Sequence, residues 1–244
     1  MKKFLSVFLC FIMLISFSTT SFAINNNEVL SHDENLKITL LEQSDGYEKV
    51  EMENKKNGEI EYLESILEDD GSYTYKATTN DNTYEIKNNN GKITIIDKNG
   101  EITIIDSGVI NDLSNNDVSD ANNISEDNDL SKGSSCIPNS NWSTFLTGSS
   151  SVALNVTDSS LIAGIIVSIV GGPVSGVITT IAAWYASRFI KNAYYTYKQE
   201  TRMHNGWVEE RTYYTWYEDD KHKNKIKDVY SPISKVRLVG TPCK

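Results

Sequence analysis

Arginine is scarce in this sequence: four residues against nineteen lysines, and all four (Arg188, Arg202, Arg211 and Arg237) lie in the last third. With a net charge of −10 over 244 residues, the intact chain lacks the basic field that phosphate recognition needs, which argues against nucleic acid as a partner. Histidine is scarcer still. His32, His204 and His222 are the only three, and none stands at metal-ligand spacing to a Cys, Asp or Glu. Nucleophile elbow, P-loop and zincin helix are all missing, and an adjacent pair such as Glu209 and Glu210 occurs in any acidic protein. The expectation is a protein that is not an enzyme and carries no cofactor or metal.

The average charge hides two halves. Residues 24–135 hold 25 Asp/Glu against 9 Lys and no Arg, a net −16. Residues 136–244 hold 12 Lys/Arg against 8 Asp/Glu, a net +4. Ahead of both, Lys2 and Lys3 precede an apolar stretch over 4–17, and Ser21 and Ala23 place small residues before Ile24. That is the layout of a secretory signal peptide cleaved between Ala23 and Ile24. The stretch is shorter than the roughly 20 apolar residues a membrane anchor needs. Length then allows one or two domains, and the lysine-heavy, asparagine-rich usage reads as that of an AT-rich Gram-positive bacterium.

Cysteine is the third scarcity. Cys10 lies inside the signal segment, which leaves Cys136 and Cys243 in the exported chain. An even pair in an exported protein reads as a disulfide, with two free thiols as the alternative. A Cys136–Cys243 bond would close almost the whole cationic half into one loop, worth roughly 4–5 kcal/mol on the chain-entropy account.

In the acidic half, residues 36–106 alternate. Leu36, Ile38 and Leu40 share a face, as do Ile60 and Tyr62, then Tyr73, Tyr75 and Ala77, then Tyr84 and Ile86. Turn pairs separate them: Asp45-Gly46, Asn57-Gly58, Asp70-Gly71, Asn90-Gly91 and Asn99-Gly100. The spacing predicts an antiparallel β-meander over 36–106, within an acidic β-rich region 24–106. Two copies of Ile-Thr-Ile-Ile-Asp, 93–97 and 102–106, flank Asn99-Gly100 and predict a hairpin. Residues 107–135 lack aromatics and consist mainly of Asn, Asp and Ser, so they read as a disordered linker. The linker is either a plain tether or the processing site of an acidic pro-region.

The cationic half opens differently. No formal charge occurs between Asp158 and Arg188. Gly164, Ser168, Gly172, Gly176 and Thr180 recur every four residues, a stripe that permits close helix approach in a membrane. Trp184 and Tyr185, followed by Arg188 and Lys191, resemble an interfacial belt with basic anchors. Gly171, Gly172 and Pro173 interrupt the run and predict two helices, 161–170 and 174–190, forming an apolar hairpin over 161–187. Each arm is too short to cross about 30 Å of hydrocarbon alone. The hairpin is therefore a stored membrane-insertion unit, a buried core element, or part of a stop-transfer span that would keep Cys136 and Cys243 apart.

Beyond it, aromatic strands flank Asn205-Gly206: Tyr194, Tyr195 and Tyr197 before, Trp207, Tyr213, Tyr214, Trp216 and Tyr217 after. They predict a β-hairpin, with a third, edge strand over 226–238 bent at Pro232. Such aromatics serve cross-strand pairing or stack on sugars or lipid head groups. Lys221, Lys223, Lys225 and Lys227 form either an anionic-surface contact or a solvated turn. The fold class expected is α+β: a β-meander, a disordered linker, and a disulfide-closed unit of apolar helical hairpin plus small antiparallel sheet.

The layout of signal segment, acidic β-rich region, Asn/Asp/Ser linker and Cys-bounded cationic unit, with "NAYYTYK" at 192–198 and "RTYYTWYEDD" at 211–220, resembles the geobacillin-like family of large, unmodified, heat-labile bacteriocins of Gram-positive bacteria. The resemblance implies a secreted antibacterial protein acting on related cells, and carries over no catalytic residues. Expected partners are an anionic bacterial membrane or envelope, further copies of the chain through the stripe, and a cognate immunity protein. The rival is a non-toxic, envelope-associated binding protein with a structural hairpin.

Overall fold

The computed structural model describes residues 28–32, 34–107, 137–177, 181–188 and 190–243. Ala23, Ile24, Cys136, Thr180 and the expected linker beyond Ser107 lie outside the described residues.

Alternation and turn chemistry build the first sheet. Its strands are β1 (Glu28–His32), β2 (Leu36–Ser44), β3 (Tyr47–Asn54), β4 (Ile60–Leu67), β5 (Tyr73–Thr78), β6 (Thr83–Asn89), β7 (Lys92–Asp97) and β8 (Ile102–Asp106). They pair antiparallel in chain order, a meander of eight. Asn90 and Gly91 take φ of 51° and 83°, the left-handed pair a two-residue hairpin turn demands. The repeated pentapeptides face each other across β7 and β8, with Ile96 opposite Ile102. One face of this sheet is dry: Leu36, Ile38, Val50, Met52, Leu63, Tyr75, Ile86 and Ile93 are all buried.

The second sheet runs β12–β11–β10–β9, with β13 also on β11. Its strands are β9 (Ser143–Ala153), β10 (Asn192–His204), β11 (Trp207–Tyr217), β12 (Lys225–Tyr230) and β13 (Ser234–Leu238). Among the described residues, three helices lie between β9 and β10: α1 (Ser159–Val170), α2 (Val174–Val177) and α3 (Ala183–Arg188). The architecture is thus mixed, with antiparallel sheets and few helices among the described residues. Tyr195, Tyr214 and Trp216 are buried on the inner face, their rings 4.7 to 6.4 Å apart. Both sheets and all three helices contribute to one hydrophobic core.

Three details differ from the sequence reading. Strands β1 and β9 were not anticipated; β9 is rich in Ser, Thr and Gly, and its first seven residues are mostly exposed. The expected edge strand 226–238 is two strands, β12 and β13, because Pro232 cannot continue the ladder and the chain re-pairs with β11 lower down. Within the expected helix 174–190, whose residues 178–180 and 189 lie outside the described residues, a π-helical turn at Ile181 and Ala182 leads into α3. The break at 171–173 falls where Gly171 and Gly172 take φ of 77° and 91°.

Candidate functional site

The apolar segment is the centre of the molecule. All twelve residues of α1 are buried. Among the described residues, no helix is long and apolar enough to cross a membrane. Its packing partner is the acidic half: an added Cβ at Gly164 would stand 2.3 Å from Ile86 Cδ1 and 3.4 Å from Leu63 Cδ1. The glycine here admits a sheet rather than another helix.

The ends of α1 are satisfied in trans. Asp158 stands at the N-cap position with extended backbone but makes no capping hydrogen bond with its side chain. The Ser160 N–H instead donates to Glu61 Oε2 of β4 at 2.5 Å. At the other end, Asn88 Nδ2 of β6 donates to the Ser168 carbonyl at 2.9 Å. The Tyr214 hydroxyl of β11 donates to the Ile169 carbonyl, and the Tyr75 hydroxyl of β5 to the Gly172 carbonyl, both at 2.9 Å. At α2, the Val174 N–H donates to Ser65 Oγ at 3.3 Å and the Ser175 N–H to Glu48 Oε2 at 2.9 Å. A helix buried without flank caps must find partners elsewhere. Here five of the six come from the first sheet.

Burial sets the electrostatics of this clamp. Desolvation pushes the Glu61 carboxyl up from its ordinary value, against the pull of the hydrogen bond from Ser160. Asp158 is also raised, by desolvation first and then by Glu59 and Asp81. A carboxyl whose pKa folding raises costs stability while ionised, and that cost disappears as pH falls through the raised value. Acidification therefore removes a cost from the folded state at this site, the opposite of an acid-triggered release. Glu61→Gln should raise Tm over wild type most at neutral to alkaline pH, with the gap closing toward the ordinary carboxylate range. Melting both proteins across that pH range checks it, and a gap that widens on acidification would contradict it.

The remaining sequence-predicted residues scatter. Ser168 is buried and its hydroxyl donates to the Ile165 carbonyl. Gly172 lies against Pro232, Pro173 is exposed, and Gly176 is exposed with nothing near its Cβ position. The stripe is thus not one packed seam in this state. Tyr185 is buried against Trp216, its hydroxyl bonded to the Tyr217 carbonyl and accepting from the Tyr194 N–H at 3.2 Å. Trp184 is half-buried with the Arg188 guanidinium 4.8 Å from its ring centroid, and Lys191 is exposed nearby. Lys221, Lys223, Lys225 and Lys227 are exposed, but Glu218, Asp219, Asp220 and Asp228 share that turn and balance them. Lys225 pairs with Asp228 at 2.8 Å.

At the far end of the second sheet, Ile137 pairs with Pro242, and the Cys243 N–H donates to the Ile137 carbonyl at 3.2 Å. The Asn205-Gly206 turn is clasped there: Asn205 N–H donates to Asn139 Oδ1 at 2.8 Å and Val239 N–H to the Gly206 carbonyl at 2.7 Å. A Cβ on Gly206 would stand 2.0 Å from the Gly240 carbonyl oxygen.

A cavity of about 570 Å³ opens where the two sheets meet the C-terminal end of α1, walled by Tyr73, Tyr75, Phe145, Gln199, Thr212 and Pro232. Among the described residues no group of His, Cys, Asp or Glu could hold a metal ion. Sequence reasoning missed the clamp residues Glu48, Glu61, Ser65, Tyr75 and Asn88 as a set. The signal was present: Glu48 falls in phase with Val50 and Met52, and Glu61 with Leu63 and Ser65, so two carboxylates occupy inward positions. No protein-family model, curated protein or solved structure matches the chain.

Proposed function

We propose that this chain is a secreted antibacterial protein whose apolar hairpin 161–187 is the membrane-active element, stored between two sheets. One observation carries the reading: α1 and the turn that follows it, the most apolar part of the cationic half, are capped by side chains outside them, most from the acidic half. Moving that stretch from the core to lipid exchanges one apolar surrounding for another, so the hydrophobic term largely cancels. The polar clamp and the sheet surface left behind then set the resistance to release. Each hydrogen bond of the clamp is worth about 1 kcal/mol net. The break at 171–173 lets the two arms leave as a hairpin, and the Gly/Ser stripe supports association once they are in lipid.

A Cys136–Cys243 disulfide fits the same reading. The Ile137–Pro242 bridge brings the backbone beside both cysteines together, so the bond would hold the second sheet closed while the hairpin leaves. The acidic half would mask the hairpin, and the resemblance to large Gram-positive bacteriocins points the same way.

The test is dye release from anionic liposomes, paired with growth inhibition of related Gram-positive strains. Full-length protein, intact or nicked within 108–135, is added to both. Leakage and inhibition are the expected result. Neither activity in either form would end the toxin reading.

One observation favours the rival. On the outer face of the second sheet, Trp142 lies between the Arg202 and Arg211 guanidinium groups, 4.4 and 4.1 Å from its ring centroid, and Arg211 also stands 4.1 Å from the Tyr230 ring. An aromatic and cationic face of this kind suits a wall-polymer binder whose hairpin is structural. Such a protein should co-sediment with cell-wall material and inhibit nothing.

A further inference from the structure

The geometry points to the exposed edge strand β13, with its neighbour Trp207, as the surface that first docks on an anionic lipid membrane, in place of the lysine-rich turn at 221–227. This inference rests on the membrane-active reading for its partner. After Asp228 the chain carries no acid: from Ser231 to Lys244 its charges are Lys235, Arg237 and Lys244. The same stretch exposes its large apolar side chains, with Ile233 at 48%, Val236 at 48% and Leu238 at 61%. Every residue of β13 is exposed. A strand so apolar and so cationic on the rim of a sheet is an ordinary liability in water and an advantage at a lipid interface.

Register assembles the patch. Leu238 stands opposite Trp207, and Lys235 opposite Glu209 on β11. The Lys235 Nζ lies 5.8 Å from the Trp207 ring centroid. Indole, leucyl and ammonium groups thus share one face, the combination that settles at the head-group level of a bilayer. Of the nearby carboxylates, Glu209 is bound by Arg202 at 2.8 Å, which leaves Lys235 its charge, while Glu210 faces and offsets Arg237. By contrast, the four lysines of 221–227 have four acids close by in sequence, Glu218, Asp219, Asp220 and Asp228, and Lys225 pairs with Asp228 at 2.8 Å. The clasp of Ile137, Gly206 and Gly240 fixes the end of β13, so the patch is presented on rigid backbone.

The experiment uses the full chain and two vesicle populations, pure phosphatidylcholine and phosphatidylcholine with phosphatidylglycerol, read by co-sedimentation at low salt. Wild type should bind the anionic vesicles and not the neutral ones. Each basic residue near an anionic surface contributes about fivefold in affinity, so Lys235→Glu with Arg237→Glu should lose more than tenfold. Val236→Ser with Leu238→Ser should lose a similar factor, with circular dichroism unchanged because both side chains already face solvent. Lys221→Glu with Lys223→Glu should bind within twofold of wild type. The surface assignment is overturned if both β13 variants bind like wild type, if the lysine-turn variant alone loses binding, or if wild type binds neither vesicle or both equally. Anionic-vesicle binding that depends on β13 but releases no dye supports this surface while defeating the effector reading, so the two failures are distinguishable.

Discussion

Oxidising a Ser65→Cys, Val174→Cys protein should abolish dye release from anionic vesicles, and reduction should restore it. In the native fold the Val174 N–H reaches Ser65 Oγ at 3.3 Å, and both residues are buried between β4 and α2. A disulfide at this point would fasten the hairpin at its turn to the sheet that covers it. Turn residues 171–173 must lead if two arms enter a bilayer as one unit, so this is the tightest place to hold them. The effect should be close to all-or-none, because the lock replaces a contact worth about 1 kcal/mol with a covalent bond. Wild type treated with the same oxidant and reductant controls for Cys136 and Cys243. Undiminished leakage from protein shown by mass to be locked would mean that 161–187 never leaves the core, and the buried-hairpin alternative would then hold.

The meander was legible because its signals are local. Alternation places Leu36, Ile38 and Leu40 on one face, and each turn carries its own Gly or Asn. The β10–β11 hairpin was legible for the same reason at Asn205-Gly206. Strand β9 was not, because Ser, Thr and Gly dominate it and its pairing with β10 is set by the partner, not by its own pattern. The helix break at 171–173 follows from glycine and proline chemistry alone. The clamp was hidden for a deeper reason. Glu61 and Ser160 are 99 residues apart, and Asn88 and Ser168 are 80 apart. Nothing in either local sequence says that the other will arrive, so a carboxylate at an inward position reads as a flaw in the pattern until its partner is placed.

The charge asymmetry also changes meaning once folded. Net −16 and +4 suggest a mask laid over an effector, yet the first sheet and α1 share one dry core. Ser107, fully buried where the first sheet ends, shows how close the two sheets lie. Its carbonyl accepts from the hydroxyls of both Ser150 and Tyr195, residues of the second sheet. Burial raises the Tyr195 phenol to about 12, so this hydroxyl keeps the proton it donates at neutral pH. These buried contacts join the halves by hydrogen bonds and apolar packing, which added salt should weaken little.

The stripe residues should separate cleanly under substitution by leucine. Gly164→Leu should lower stability by about 3 kcal/mol, because its Cβ meets Ile86 and Leu63 in a filled core and the longer side chain has no void to enter. For a chain of this size that is a fall in Tm of roughly 6–12 °C. Gly164→Ala should cost far less, since the atom in its way is the mobile end of Ile86 and alanine favours helix over glycine. Gly172→Leu is a poor probe of helix association: φ of 91° strains any other residue there, and Pro232 Cγ stands 2.9 Å from the new Cβ. Gly176→Leu is the discriminating variant. Its site is open, so Tm should hold within a degree or two of wild type. If the stripe forms the helix seam in lipid, that variant should fold normally and release dye at least tenfold more slowly. Normal folding with undiminished release would remove the stripe from the mechanism and leave the apolar character of 161–187 as its whole contribution.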